Sequence, residues 1–292
     1  MARRPSQGEA LLTWLVWGAI AACVVVTYSR LEPSETYHVS REGIAGGLSR
    51  ALTFVNFPIA LVAIALVLVA VAALPIRAWW AAAPAIALCA TIPFFNDQAN
   101  LDAHAGNVIP AVGVAIAGGL TLAATIRAGS SLAPRRPWDR ARVVVAALLV
   151  LVSLPWISAE LWFHFPGDFF MGEEVGREGD EAIAAVHLGH HHGLDGAMLV
   201  LTGLVLSRVV VAGRLLRIAL QCYLGLMLAY GAVNCFQDGW NEQLHKRGST
   251  ERSIPSALLP SLTPIWLVVI ALAVVATLAL RWEESRASYS AT

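Results

Sequence analysis

The sequence predicts an all-α, polytopic membrane protein with about eight transmembrane helices, and three observations carry this prediction. Hydrophobic residues make up 57% of the 292 residues and charged residues only 14%, with a mean hydropathy of +0.65. This composition excludes disordered and ordinary soluble proteins. The apolar residues form runs near the roughly 20 residues that a helix needs to cross about 30 Å of hydrocarbon. Because these runs lack the period-two alternation of a transmembrane β-barrel, we expect helices.

Eight such runs follow one another along the chain, separated by short polar connections. They lie at 10–29, 51–75, 78–95, 107–126, 143–163, 194–212, 216–235 and 263–281. The third run is short and contains Pro84 and Pro93, which makes it the weakest of the eight. Because no connection has the length of a soluble domain, we expect residues 1–292 to form a single membrane domain.

Arginine and lysine set the predicted orientation, because basic residues collect in cytoplasmic connections. The chain begins MARRPSQ, and the connection at 127–142 reads RAGSSLAPRRPWDRAR. With these segments in the cytoplasm, both termini are inside and 13 of the 20 basic residues share that side. All eight histidines and 16 of the 20 acidic residues then lie on the other side. We therefore expect a bacterial plasma-membrane protein with an acidic, histidine-rich exoplasmic face and no nucleic-acid partner.

An internal repeat is predicted at the exoplasmic ends of the third and seventh runs. The chain reads FNDQANLDAH at 95–104 and FQDGWNEQLH at 236–245, sharing Phe, Asp, Asn and His at an offset of 141 residues. Because a shift of four spans preserves orientation, the pattern indicates a parallel 4+4 duplication with halves at 10–126 and 143–281. Chance recurrence after two helix ends is the alternative.

The stretch VHLGHHHGLDG at 186–196 holds four of the eight histidines. If it forms the first turns of the sixth helix, His187, His191 and Asp195 recur at i, i+4 and i+8 on one face, with His190 beside them. Imidazole and carboxylate groups one turn apart can bind a common transition-metal ion, such as zinc, copper or iron. The alternative is a solvated loop whose histidines flank the interface.

The repeated motif D-x-x-N-x-x-x-H supplies the remaining candidate groups. Residues at i, i+3 and i+7 share one helical face, so each copy would present a row of polar groups to a common site. We predict His104 and His245 as further metal ligands, and Asp97, Asp238 and Glu242 as acid/base groups. The alternative is a pair of capping turns, in which Asp and Asn satisfy backbone groups where a helix leaves the bilayer.

Three functions fit these residues, and in each of them the protein is embedded in the lipid bilayer as its partner. One is a metal-dependent membrane enzyme acting on a lipid or quinone-like substrate, in which the metal activates water or a redox partner. Another is a divalent-metal transporter, which is less economical because the predicted spans have no ionisable residue near the midplane. The third is a non-catalytic accessory or sensor subunit, bound to partner membrane subunits, whose exposed histidines titrate at about pH 6.5.

Overall fold

A computed structural model describes residues 5–31, 40–95, 102–160, 174–178, 181–184, 192–245, 248–259 and 261–289. Most of these residues belong to ten α-helices, joined in places by short 3₁₀ or π-helical turns. The α-helices are α1 (Gly8–Tyr28), α2 (Gly43–Phe54), α3 (Ala60–Val71), α4 (Trp79–Cys89), α5 (Val108–Ala128), α6 (Asp139–Val152), α7 (Leu154–Glu160), α8 (His192–Leu206), α9 (Arg214–Trp240) and α10 (Ile265–Tyr289). A two-stranded antiparallel hairpin, β1 (Glu174–Glu178) and β2 (Glu181–Ala184), separates α7 from α8 along the chain.

Six helical segments among the described residues are long and apolar enough to cross a membrane, in agreement with the predicted helical membrane bundle. They are Gly8–Tyr28, Gly43–Val71, Ile76–Phe94, Ala105–Ala128, Arg214–Trp240 and Ile265–Arg286. Large apolar side chains face outward from several of them: Leu15 is 72% exposed, Leu122 60% and Leu267 73%. Hydrocarbon covers such surfaces favourably, whereas water does not.

The other two predicted runs are helical over part of their length, and their described helices are each shorter than a simple span. The run at 143–163 corresponds to α6 and α7, which are 14 and 7 residues long and meet at Ser153. Pro155 lies in the first turn of α7, where its missing N–H is tolerated, but it cannot donate the hydrogen bond that would continue α6. The run at 194–212 corresponds to α8, which has 15 residues. The count of eight spans therefore stays a prediction.

The core of the bundle surrounds α3. This helix is apolar on every side, and each of its twelve residues except Leu61 is buried, as expected for a helix enclosed by others. It packs against α4, α5 and α9. The hydroxyl of Tyr223, on α9, donates a hydrogen bond to the Leu61 carbonyl at 2.7 Å. This bond ties the central helix to α9, the longest helix among the described residues.

A break in helical geometry separates α2 from α3. Phe57 has an extended backbone, with φ −163° and ψ 121°, because the ring of the following Pro58 disfavours the helical region for the residue before it. The side-chain amide of the neighbouring Asn56 donates a hydrogen bond to the Phe95 carbonyl, just beyond α4. The predicted run at 51–75 is thus a discontinuous helical segment that begins earlier, at Gly43.

Two tryptophans hold α1 against the bundle. The indole N–H of Trp17 donates to the Thr202 hydroxyl of α8 at 2.9 Å, and that of Trp14 donates to the Thr121 hydroxyl of α5 at 3.1 Å. In an apolar surrounding, such bonds satisfy the one polar atom of each indole and fix the rotation of the helix.

Close approach of two glycines sets the packing of α8 on α9. A Cβ atom at Gly196 would lie 2.5 Å from the Gly231 carbonyl oxygen, and one at Gly231 would lie 2.6 Å from the Gly196 carbonyl oxygen. Small residues at a helix contact let two backbones approach in this way. The α8–α9 pair therefore depends on the missing side chains at both positions.

A network of ion pairs joins four helix ends, and a separate pair adds a fifth. Arg142, at the start of α6, binds Glu283, near the end of α10, through two hydrogen bonds of 2.9 and 2.5 Å. Asp139 lies 3.2 Å from Arg142 and 3.3 Å from Arg208, which follows α8. Arg208 is also 3.7 Å from Glu9, in the first turn of α1. Separately, Arg217 of α9 pairs with Glu284 of α10 at 3.2 Å.

We call this part of the protein the arginine-rich end, defined by Glu9, Asp139, Arg142, Arg208, Arg217, Glu283 and Glu284. It brings together the start of α1 and the end of α10. The four acidic residues that the sequence analysis assigned to the cytoplasmic side are all here, each beside an arginine. Which side of a membrane this end faces stays a prediction.

Candidate functional site

The predicted site residues that the structure describes lie at the opposite end of the bundle. Helix α8 runs from His192 to the arginine-rich end, and α9 runs from the arginine-rich end toward His245. His104 immediately precedes the 3₁₀ turn that leads into α5. We call this the histidine-rich end, defined by His104, His192, Asp195, Asp238 and His245. Four predicted site residues, Asp97, His187, His190 and His191, lie outside the described residues.

Asp238 has a definite contact in this region. It lies on α9, is 7% exposed, and its Oδ2 atom accepts a hydrogen bond from the backbone N–H of Gly193 at 2.9 Å. Gly193 is in the first turn of α8, whose leading N–H groups have no partner within the helix. A carboxylate there satisfies one of these donors and interacts favourably with the helix dipole. Asp238 therefore caps a neighbouring helix, whereas the alternative considered for its motif was a capping turn where its own helix leaves the bilayer.

Aromatic rings surround this cap. The ring of Trp156, on α7, lies so close to Gly193 that a Cβ atom at Gly193 would meet it at 2.3 Å. Phe57, at the helix break, makes edge contacts with His192 and with Tyr230 of α9, at centroid distances of 6.5 and 6.0 Å. The start of α8 thus lies among α7, α9 and the α2–α3 break.

Polar atoms are buried in the same region. Within the part of the chain that the structure describes, Asn56 Oδ1, Trp156 Nε1 and Asn234 Oδ1 are buried without a hydrogen-bond partner. Such atoms are uncommon in folded proteins, because each loses its hydration without replacement. Asp195 is half-buried in the first turn of α8, three residues after His192 and so on the same helical face. The region therefore combines a carboxylate, an imidazole and unsatisfied polar atoms.

The second copy of the repeated motif ties α9 to the segment 248–259. Asn241 exchanges two hydrogen bonds with the backbone of Ile254, at 3.1 and 3.0 Å. The Nδ1 atom of His245 lies 3.0 Å from the Thr250 carbonyl oxygen. Because a carbonyl only accepts, Nδ1 is the donor of this contact, and Nε2 is the ring nitrogen left for another partner. Glu242 lies in the same π-helical turn, Asn241–His245.

The first copy has a different local structure where it is described. His104 is exposed and non-helical, and its ring lies 6.4 Å from that of Phe95. In the second copy, the residues from Phe236 to His245 are helical throughout. The second copy is therefore helical over its whole length, with a π-helical turn at its end, whereas residues 102–104 of the first copy do not continue a helix. The 4+4 duplication stays a prediction.

Asp102 has a role that the sequence analysis did not anticipate. It is 7% exposed, and its carboxylate accepts hydrogen bonds from the backbone N–H of Ser40, at 3.0 Å, and from the Ser49 hydroxyl, at 3.4 Å. The Ser49 oxygen in turn accepts the Ala103 N–H at 2.8 Å. These bonds hold the segment before α5 against α2.

No three His, Cys, Asp or Glu side chains come together as a metal site among the described residues. The predicted ligands His187, His190 and His191 lie outside those residues, so the metal site stays a prediction. The ion pairs of the arginine-rich end were not predicted from the sequence. The signal for them was present, since four acidic residues remained among the thirteen basic residues assigned to that side.

Comparison of the chain with protein-family models, with curated proteins and with solved structures finds no match, so its function must be inferred from its own residues.

Proposed function

We propose that the protein binds a transition-metal ion at the histidine-rich end and acts as a metal-dependent membrane enzyme on a lipid or quinone-like substrate at the interface. One observation carries the proposal: Asp238 bonds the first turn of α8 at Gly193, directly after the histidine run in the sequence. Two carboxylates, Asp195 and Asp238, therefore lie at the start of α8. His190 and His191 directly precede that start in the sequence.

The proposed ligands are His187, His190, His191 and Asp195, with His104 and His245 as further candidates. Mixed imidazole and carboxylate ligands suit zinc, copper or iron. The Nδ1 contact of His245 with a backbone carbonyl is the second bond that metal-ligating histidines commonly make. Asp97, Asp238 and Glu242 are the proposed acid/base groups, which would transfer protons to or from a metal-activated water or substrate.

A lipid-phase substrate fits the surroundings of this end. Phe236 is 62% exposed and Leu244 39% exposed, at the end of α9 and in the following π-helical turn. Exposed apolar side chains beside polar, ionisable groups provide both a hydrocarbon contact and a reactive end for an amphiphilic molecule.

The proposal includes a placement in the membrane. Eight spans with both termini in the cytoplasm would put the arginine-rich end inside and the histidine-rich end on the exoplasmic face of a bacterial plasma membrane. The excess of arginine at one end supports this orientation, because basic residues are retained on the cytoplasmic side. Partner membrane subunits would dock on the exposed apolar faces of the bundle.

Elemental analysis of the purified full-length protein tests the metal. We expect close to one transition-metal ion per chain, and loss of most of it in His191→Ala and Asp195→Asn. His164→Ala, which removes a histidine outside the proposed set, should retain the metal. Absence of stoichiometric metal after reconstitution with zinc, copper and iron would overturn the proposal. Uptake of the bound metal into proteoliposomes would identify a transporter instead.

A non-catalytic accessory or sensor subunit is the second candidate, and the contacts of the second repeat copy favour it. The Asn241 side chain exchanges two hydrogen bonds with the Ile254 backbone, which is what a structural role requires. If metal is absent and the protein co-purifies with other membrane subunits, this second function replaces the first.

A further inference from the structure

We propose that the arginine-rich end binds the phosphate group of an anionic phospholipid. A cavity of about 1170 Å³ opens there between the start of α1, the connection 129–138 and the residues after α8. Three arginines line it, Arg127, Arg136 and Arg208, together with the Ser6 and Ser131 side chains. Guanidinium groups bind phosphate oxygens through pairs of charge-assisted hydrogen bonds, which makes phosphate the ligand that this wall suits.

The carboxylate in the wall does not cancel this charge. Glu9 is 1% exposed, and its Oε1 atom accepts the backbone N–H of Ala133 at 2.8 Å and lies 3.7 Å from Arg208. Its charge is therefore turned toward groups of the protein and paired with one of the three arginines. Arg127 and Arg136 leave the cavity positive.

The arginine-rich end as a whole also carries an excess of positive charge. Among the described residues, eleven arginines and four acidic residues occupy it. The arginines are Arg77, Arg127, Arg135, Arg136, Arg140, Arg142, Arg208, Arg214, Arg217, Arg281 and Arg286. An excess of this size attracts anionic headgroups, and a concave site among the arginines converts that attraction into a defined contact.

Arg136 is a half-buried arginine of the cavity wall, and its Nη1 atom donates to the Ser207 carbonyl at 3.3 Å. Burial lowers its pKa, as does the positive charge of Arg142, although the carboxylates of Glu283, Glu284 and Asp139 act in the opposite direction. A phosphate beside the guanidinium would offset both lowering effects, because an opposite charge favours the ionised form.

A second cavity beside the first favours a lipid over free phosphate as the ligand. It has a volume of about 560 Å³ and shares Arg127 with the first. Its wall adds Arg77 and the apolar side chains of Leu74, Leu120 and Ile126. Ile126 is 80% exposed on the outer surface of α5. Headgroup-binding arginines thus adjoin an apolar groove on a membrane-facing helix, which suits the first segments of an acyl chain.

Native mass spectrometry of the full-length protein, in detergent micelles containing equal amounts of phosphatidylglycerol and phosphatidylcholine, tests the site. We expect preferential retention of phosphatidylglycerol, reduced about fivefold in Arg127→Gln. Arg140→Gln is the matched control: both arginines are exposed, neither forms an ion pair among the described residues, and Arg140 does not line either cavity. The control should retain the lipid like the unchanged protein.

Inorganic phosphate in excess should leave the bound lipid in place, because the acyl chain adds contacts that free phosphate lacks. Displacement by phosphate would identify a free-anion site and overturn the lipid proposal. Equal retention of the two lipids, or equal losses in the two variants, would overturn it as well. The test is independent of the metal site, because it measures lipid retention at the opposite end of the bundle.

Discussion

The guanidinium of Arg142 and the carboxylate of Glu283 join the start of α6 to the end of α10, with Nη1 2.9 Å from Oε1 and Nη2 2.5 Å from Oε2. The two side chains are 9% and 1% exposed. Oε1 also accepts the Trp138 backbone N–H at 3.2 Å. A buried carboxylate with these partners is stable only while its arginine is present.

Arg142→Ala should therefore destabilise the protein by about 3 kcal/mol, because it leaves the Glu283 charge buried and unpaired. Thermal unfolding in detergent micelles measures the effect. Arg140→Ala removes an exposed arginine two residues away and should change stability little. Replacing both partners, in Arg142→Leu/Glu283→Leu, should recover much of the loss, and a double variant as unstable as the single one would contradict the pairing argument.

The cap at α8 provides a second prediction. Asp238→Ala should cost about 1 kcal/mol, because the Gly193 N–H loses its acceptor. Asp238→Asn keeps an acceptor oxygen and should cost less. Thermal unfolding separates these two variants, with Glu251→Gln, which changes an exposed carboxylate, as the control.

Metal content adds a second measurement on the same variants. If Asp238 contributes its charge to the metal region, Asp238→Asn should bind metal more weakly although it keeps the cap. Equal metal content in Asp238→Asn and the unchanged protein would restrict Asp238 to capping.

The close approach of α8 and α9 predicts a large effect of a very small change. Gly196→Ala would place a Cβ atom 2.5 Å from the Gly231 carbonyl oxygen, and separating the two backbones should cost about 2 kcal/mol. Gly118→Ala is the matched control, since it also lies within a helix and its Cβ would meet nothing within 4 Å. The control should be neutral or gain up to about 1 kcal/mol. Equal melting temperatures for the two variants would contradict the packing described for α8 and α9.

The bond between Trp17 and Thr202 predicts energetic coupling between α1 and α8. In a double-mutant cycle, Trp17→Phe and Thr202→Val should show a coupling free energy of about 1 kcal/mol, since each change removes one partner of the same hydrogen bond. Trp17→Phe combined with Thr121→Val should show none, because Thr121 accepts from Trp14 instead. Equal coupling free energies in the two cycles would contradict a specific hydrogen bond between Trp17 and Thr202.

Sequence alone predicted the helical membrane bundle, because crossing hydrocarbon requires runs of apolar residues whose length and composition are visible without any tertiary contact. It also assigned Glu9, Asp139, Glu283 and Glu284 to one side, and each of the four does pair with an arginine at one end of the bundle. The sequence shows directly which charges lie at a helix end. Because successive helices run in opposite directions, the charges at corresponding ends meet on one side of the bundle.

Only the tertiary structure decided which groups pair. The motif around Asp238 allowed either a site or a cap, and its contact with Gly193, 45 residues away, depends on how α8 and α9 pack. Pro58 in the sequence indicates a discontinuity at Phe57. The sequence does not indicate that the Phe57 ring would contact His192 and Tyr230. Local periodicity encodes which face of a helix is apolar, whereas the neighbour of that face follows from the packing of the whole chain.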